Sequence, residues 1–366
     1  MPSTTCCASA AASGSAESVG RRVLITGLDT FWGGRMAQAL EAQSDVDMIL
    51  GLGTKEPKVP LERTEFVRSD QKYSILSRIV RATQVDTIVH TFLETNSSAV
   101  PSRVLHEINV IGTLNLLAAA GASGASVRKV VVKSSTHVYG ASEQDPAWFR
   151  EEDRRTGPVR TKLERSLIEV ESLVRDFAED NPHLDVTVLR FANVLGTDII
   201  TPISYNLRKR LLPCIAGFDP QVQFVEEDDV VRSLEFVTAN RVPGVYNVAG
   251  EGKLPWSEVA SIGGAHLLPL PPIRPRAFAA PFTRTGAIRF PPEMEGLFRY
   301  GRGVDSTKLR AAGFEYRYTS AGAVTSFARA NNLRRATGTT SEEYRYEQDV
   351  EQFFRHSPAV VRGIDT

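Results

Sequence analysis

The chain of 366 residues holds only three cysteines, and two of them, Cys6 and Cys7, are adjacent. So few cannot build a disulfide framework, and their spacing fits no metal site. Neither sign of charge is in excess: 43 Lys+Arg face 43 Asp+Glu, so nothing draws the chain as a whole towards nucleic acid. No window approaches the roughly 18 apolar residues of a membrane span. Residues 1–19 carry no base and no apolar run; they are not a signal peptide and read as a disordered leader. What is present is a composition 42% hydrophobic, which at this length buries a sizeable core. The length suggests one large domain with a smaller one, in a soluble protein expected in the cytoplasm.

Short apolar runs alternate with amphipathic stretches. Arg22–Thr26, Met48–Leu52, Thr87–His90 and Lys129–Lys133 are brief and largely β-branched, as strands buried on both faces are. Segments near 34–43, 72–83, 103–121 and 163–180 carry helical spacing. Alternation at this density predicts an α/β fold, a Rossmann-type doubly wound parallel sheet with its ligand at the carboxyl ends of the strands. The expected organisation is a doubly wound domain over 20–198 and a smaller subdomain over 199–336, interleaved with the first. A C-terminal tail follows over 337–366.

Two segments stand apart. Residues 267–302 hold seven prolines and six arginines against two glutamates, with Phe278, Phe282, Phe290 and Phe298 interleaved. They form either a basic, aromatic lid over an anionic substrate or a Pro-rich connection in the smaller domain. The tail, with six acids, three arginines and four aromatic residues, reads as a short helix that docks on the body or binds a partner.

The first strand runs directly into Thr26-Gly27-Leu28-Asp29-Thr30-Phe31-Trp32-Gly33-Gly34, with a helix expected to start near Arg35. Gly27 permits a tight turn and Gly33 lets the helix approach the strand. The helix N-terminus then offers free N–H groups to a pyrophosphate.

With this loop in place the sequence resembles the extended short-chain dehydrogenase/reductase family, the NAD-dependent epimerase/dehydratase group that includes UDP-galactose 4-epimerase. The resemblance spans about 22–330. It rests on the loop, Asp70, Ile88-Val89-His90 and Asn109–Leu117. It continues through Ser134-Ser135-Thr136-His137-Val138-Tyr139-Gly140, Leu189–Gly196, Glu227-Asp228-Asp229-Val230 and Gly244–Gly250. It implies NAD or NADP as cofactor, a nucleotide sugar or a related alcohol or ketone as substrate, and an isomerase or oxidoreductase reaction. Gly27 and Gly33 would line the pyrophosphate, with Thr26, Thr30, Phe31, Trp32 and Lys55 nearby, and Asp70 would meet the adenine. Asn109 would brace the strand beside the cofactor, or simply satisfy neighbouring backbone, and His90 is expected to be a satisfied strand-end histidine. A homodimer is implied through the helices near 103–121 and 163–180.

Two departures bear on the cofactor. Thr30 replaces the loop's middle glycine, so a side chain is expected to project where the phosphates approach. The second strand ends Leu50-Gly51-Leu52-Gly53-Thr54-Lys55, without the acid that accepts from a ribose hydroxyl; Lys55 in its place tilts the expectation towards NADP.

A third departure concerns chemistry. Members of the family carry a proton on a Tyr whose pKa is lowered by a Lys four residues later, beside a Ser or Thr. Ser135 fills the serine slot. No Tyr lies between Tyr139 and Tyr205, and Lys162 is the one Lys between Lys133 and Lys209. Reading back from Leu189-Arg190 puts Leu163 and Leu167 in the two slots, on the apolar face they share with Val170, Val174 and Phe177, which they would extend into the cleft. Asp29, Thr136, His137 and Asp229 are the candidate substitutes, and the sequence selects none of them. Glu171 is expected to face solvent. The alternative to an enzyme with an unusual proton carrier is a catalytically degenerate dinucleotide-binding module with a regulatory or partner-binding role.

Overall fold

A computed structural model describes residues 20–69, 71–95 and 101–337; the leader, Asp70 and the tail from 338 lie outside the described residues. In chain order the strands are β1 (Arg21–Thr26), β2 (Val46–Gly53), β3 (Thr64–Arg68), β4 (Thr87–His90), β5 (Lys129–Ser135) and β6 (Asp185–Phe191). Four short ones follow, β7 (Asn193–Leu195), β8 (Leu211–Ile215), β9 (Gln221–Val222) and β10 (Phe224–Glu226), and then β11 (Gly244–Val248). Seven of these make one parallel sheet in the order β11-β6-β5-β4-β1-β2-β3. The chain winds outwards from β1 to β3, then returns to lay β4 on the other side of β1. That reversal opens a crevice at the carboxyl ends of β1 and β4.

Helices cover both faces, which is why Val130, Val131 and Val132 of β5 are all fully buried in succession. The early helices are α1 (Phe31–Glu41), α2 (Tyr73–Thr83), α3 (Ser102–His106), α4 (Gly112–Ala120) and α5 (Lys162–Asp180); one π-helical turn over Glu107–Ile111 joins α3 to α4. Residues from α2, α4 and α5 share one apolar cluster with the sheet. On the opposite face α1 packs with a later helix, α7 (Glu227–Ala239), which follows α6 (Pro202–Lys209). So α7 and β11 return to the main sheet from beyond residue 198.

The rest of the chain forms a second lobe. It contains β12 (Leu254–Pro255), β13 (His266–Leu270), α8 (Trp256–Gly263), α9 (Pro275–Arg284), α10 (Pro292–Tyr300) and α12 (Ser320–Thr337), while the short α11 (Thr307–Ala311) before the last helix packs back on the main sheet through Leu309. Its core is aromatic: the Trp256 and Phe298 rings lie 4.5 Å apart and Phe290 stacks at 5.7 Å from Phe298. Residues 267–302 are therefore ordered as β13, α9 and α10. Two of their four phenylalanines build this core, while Phe278 and Phe282 stay exposed.

Candidate active site

The glycine loop turns at Gly27, whose φ is +74°, and a Cβ there would lie 2.8 Å from the Cβ of Phe92 in the loop after β4. Gly33 is tighter still, since a Cβ would stand 2.1 Å from the Gly27 carbonyl oxygen. The helix begins at Phe31, earlier than the sequence suggested, because Thr30 caps it. The Thr30 hydroxyl donates to the Gly27 carbonyl at 2.7 Å and accepts from the Gly33 N–H at 3.2 Å. This corrects the expectation that Thr30 projects towards the phosphates. Its side chain folds back into the loop, 4% exposed, and leaves backbone on the outer face.

At the end of β2, Asp29 takes over space left by the missing acid. Its carboxylate accepts from the Thr54 N–H (3.0 Å), the Thr54 hydroxyl (2.7 Å) and the Lys55 N–H (3.2 Å). Asp29 is thereby tied to the loop carrying Lys55.

Across the crevice, His90 is fully buried between the hydroxyls of Thr26 (2.7 Å) and Thr113 (3.0 Å). Burial first, and the Lys133 charge second, press its pKa down to about 3, so it is a neutral structural imidazole. Asn109, also fully buried, accepts from the Glu94 N–H (2.8 Å) and donates to the Glu94 carbonyl (2.9 Å) and to Ser166 on α5 (3.2 Å). It fixes the loop after β4 to the helix behind it, with Glu94 buried and Thr95 lining the cavity beyond.

Between this crevice and the second lobe lies a cavity of about 110 Å³. Its polar end is made by Trp32, Thr95, Lys133, Ser135 and His137, and its apolar wall by Ile199, Pro202, Ile203, Met294 and Leu297. Glu227 holds the Ile199 side of this wall in place, accepting from the N–H groups of Thr197 (2.7 Å) and Ile199 (3.1 Å). Ser135 ends β5, and its Oγ lies 2.7 Å from Nδ1 of His137 on the following turn. Desolvation, reinforced by the nearby Arg302 charge, holds the His137 pKa well below its usual value, so the ring is neutral and able to accept. Of the four substitutes weighed from sequence, His137 alone lines this cavity. Asp229 is fully buried, binding Arg232 at 2.7 Å and the backbone of Arg317 and Tyr318. Thr136 is 1% exposed.

Leu163 and Leu167 do not extend an apolar face into the cleft. Both are 0% exposed and sit in the main core cluster with Val138, Tyr139 and Phe149. Phe149, from the segment ahead of α5, covers that end of the helix, whose start is set by a Thr161/Glu164 capping box and an Arg155–Glu164 ion pair of 2.9 Å. Among the described residues lining the cavity there is no tyrosine. Tyr139 lies outside it, its hydroxyl accepting from Arg190 (2.7 Å) and lying 2.8 Å from Asn247 Oδ1.

Glu171 is a further correction. It faces inwards from α5, binding Arg190 of β6 at 2.6 Å and accepting from the Ser134 hydroxyl at 2.6 Å, with only 11% of its side chain exposed. Arg190 is reached across the sheet face, a contact that helical periodicity alone does not reveal. The residue that sequence reasoning passed over was Lys133. A signal for it was present: a charged residue inside a buried strand, two positions before Ser135 and hence on the same face.

The fold and this crevice define a doubly wound α/β protein with a glycine-loop site opposite a serine–histidine pair. Residues 23–249 match the model of the NAD dependent epimerase/dehydratase family, and the chain belongs to that family. It is 29% identical over 320 residues to an uncharacterised protein of Mycobacterium tuberculosis, covering 85% of this chain and 84% of the relative. It is 26% identical over 209 residues to a UDP-glucose 4-epimerase of Pasteurella multocida, covering 53% of this chain and 60% of that one. Among solved structures it resembles a dTDP-glucose 4,6-dehydratase of Bacillus anthracis in complex with NAD, with a TM-score of 0.64, 17% identity, and coverage of 87% of this chain and 98% of that one. A UDP-glucose 4-epimerase of Thermotoga maritima with UDP-glucose is similar at a TM-score of 0.65 and 18% identity, covering 86% of this chain and 99% of that one. Among the described residues no helix is long and apolar enough to cross a membrane, and no group of three or more His, Cys, Asp or Glu is placed to hold a metal.

Proposed function

We propose that the protein binds a nicotinamide dinucleotide across the crevice between β1 and β4 and acts on a hydroxyl-bearing carbon of a nucleotide sugar. The observation that carries this reading is the Ser135–His137 pair, 2.7 Å apart, set in a cavity beside the glycine loop. The residues present suit the cofactor. Thr30 is folded out of the way, and α1 directs its N-terminus at the crevice, where the dipole and first-turn N–H groups favour a pyrophosphate. Asp29, a carboxylate at the end of β2, disfavours a 2′-phosphate and argues for NAD over NADP, against the tilt suggested by Lys55. A bound nicotinamide supplies the acceptance and return of hydride. Ser135 holds the reacting oxygen of the substrate, and neutral His137 fixes the rotor of Ser135 through Nδ1. The relatives named as UDP-glucose 4-epimerases support a nucleotide sugar as the ligand.

The second reading, a dinucleotide-binding module without turnover, is favoured by Leu163 and Leu167 lying inside the core and by the lack of a tyrosine among the described cavity residues. Thermal unfolding with NAD and with NADP tests both readings, since a ligand that binds only the folded state raises the transition by mass action. Absorbance of the reduced nicotinamide across a panel of nucleotide sugars and lipid alcohols then separates them. Binding with turnover supports the first, binding without turnover the second, and neither binding nor turnover sinks both. The reading extends to a homodimer: Ile111 and Leu114, 40% and 45% exposed, lie on the helical stretch through which pairing is expected. Sedimentation velocity checks it.

A further inference from the structure

Lys133 stands where a lysine is costly. It lies in the interior of the sheet, 5% exposed, on a strand whose three preceding residues are wholly buried. Removing an ammonium from water is strongly unfavourable unless a partner compensates it. Among the described residues Lys133 has no hydrogen-bond or ion-pair partner; its Nζ lies 5.6 Å from the Trp32 ring centroid and feels the charge of Glu94. Its side chain opens into the same cavity as Ser135 and His137. Strand alternation puts Lys133 and Ser135 on one face of β5, so both point at whatever occupies that space.

We propose that Lys133 is the proton-transfer group of this site. This rests on the reading above, in which Ser135 holds the substrate oxygen. In the oxidative direction the O–H bond of the substrate breaks and its proton passes to the neutral amine of Lys133. The C–H electron pair leaves as hydride to the dinucleotide, and the carbon–oxygen double bond forms. In the reverse direction the ammonium returns the proton to the oxygen as hydride comes back to the carbon. An amine suits this work only if its pKa lies near the working pH. Burial lowers that of Lys133 to about 8 against the opposing pull of Glu94. The two imidazoles beside it are not charged. His90 on β4 and His137 on the turn after β5 are both held neutral by burial, while Glu94 after β4 and Glu293 on α10 are carboxyl groups.

Trp32 provides a readout that needs no substrate, because the charge over its ring changes as Lys133 titrates. In the full chain, with Trp148→Phe to silence a second tryptophan under a lysine, emission is expected to change with a midpoint near 8. Lys133→Met and Lys133→Arg should both abolish that transition. The rate of alcohol oxidation should rise through the same midpoint. It should fall about 100-fold or more in Lys133→Met, the usual worth of a general base. The dinucleotide affinity should stay within about 3-fold, a change of well under 1.4 kcal/mol. Glu94→Gln keeps the backbone bonds to Asn109 and removes the carboxylate, so the fluorescence and rate midpoints should move down together. A merely structural lysine would not produce that parallel shift. Wild-type turnover that Lys133→Met leaves within about 10-fold, a loss below what a general base supplies, overturns the proposal alone. So does a transition that persists in that variant. A wild type that turns over nothing on the panel overturns the proposal together with the reading beneath it.

Discussion

Replacing Gly33 by alanine tests how closely α1 must approach the glycine loop. The added Cβ would stand 2.1 Å from the Gly27 carbonyl oxygen, 2.6 Å from its carbon and 2.9 Å from Leu28 Cα, all of them backbone. An ordinary C···O contact is about 3.3 Å or more, so the start of the helix has to move by about 1 Å. That shift loosens Met36, Ala37 and Leu40, which are fully buried. Overpacking of this kind costs about 3 kcal/mol at the upper end of its range, because no flexible side chain can yield. Alanine's better helix propensity offsets about 1 kcal/mol, leaving a net loss of about 2 kcal/mol. For a chain of this size that lowers the melting temperature by roughly 2–3 °C. Gly124→Ala is the control: its φ is +82°, but nothing lies within 4 Å of the added atom, so the cost is left-handed backbone strain alone, about 1 kcal/mol. The two variants differ most in ligand binding. Displacing the helix N-terminus should weaken NAD binding by about 10-fold or more, equivalent to 1.4 kcal/mol, and Gly124→Ala should not. Calorimetry on both variants decides. If Gly33→Ala melts no lower than Gly124→Ala and binds NAD as the wild type does, the close-approach argument is wrong.

The remaining predictions concern buried polar groups. Glu171→Ala strands Arg190, whose guanidinium it binds at 2.6 Å with 13% and 11% of the two side chains exposed; urea unfolding should show a loss of about 3–5 kcal/mol, and a loss under about 1 kcal/mol, the range of an exposed pair, refutes the burial argument. His90 has a folded pKa of about 3, below the 6.5 of the unfolded chain. Its stabilisation is therefore complete above pH 6.5 and is lost as the pH falls towards 3, by about 2 kcal/mol between pH 6.5 and 5. In His90→Gln that part of the acid dependence should vanish, while the part of the same sign from His137 remains; an unchanged slope in urea midpoints across this range would count against a neutral His90.

How much of this was legible follows from what each signal depends on. The strands showed themselves because runs such as Val130-Val131-Val132 are β-branched and bounded, and burial on both faces leaves no other reading. The helices near 72–83 and 163–180 followed from spacing, and the crevice from the order of strands and helices. The inward turn of Thr30 was not legible, because it depends on the φ of Gly27 and on a carbonyl three residues back. The inward face of Glu171 was hidden for a different reason: its partner Arg190 belongs to another element, and a carboxylate on an amphipathic helix ordinarily meets water. Lys133 was legible in principle. A lysine two places before Ser135 on a strand buried on both sides shares its face, and only its nearness to Trp32 and Glu94 needed the structure.

Restoring the family's dyad by Leu163→Tyr with Leu167→Lys is the natural attempt to turn the protein into an ordinary member, and the structure argues that it fails. Both leucines are 0% exposed and pack with Val138, Tyr139 and Phe149 rather than lining the cavity. A tyrosine there overfills a packed core, which costs about 1–3 kcal/mol. A lysine there places an unpaired ammonium among apolar side chains, which costs several kcal/mol more or drives the group to neutrality. The double variant should therefore unfold at lower temperature and gain no turnover, whereas Lys133 already brings a nitrogen to the cavity from β5. A double variant as stable as the wild type and faster on any substrate of the panel would show that α5 faces the cleft in solution, and the assignment of its polar chemistry to β5 would fall with that result.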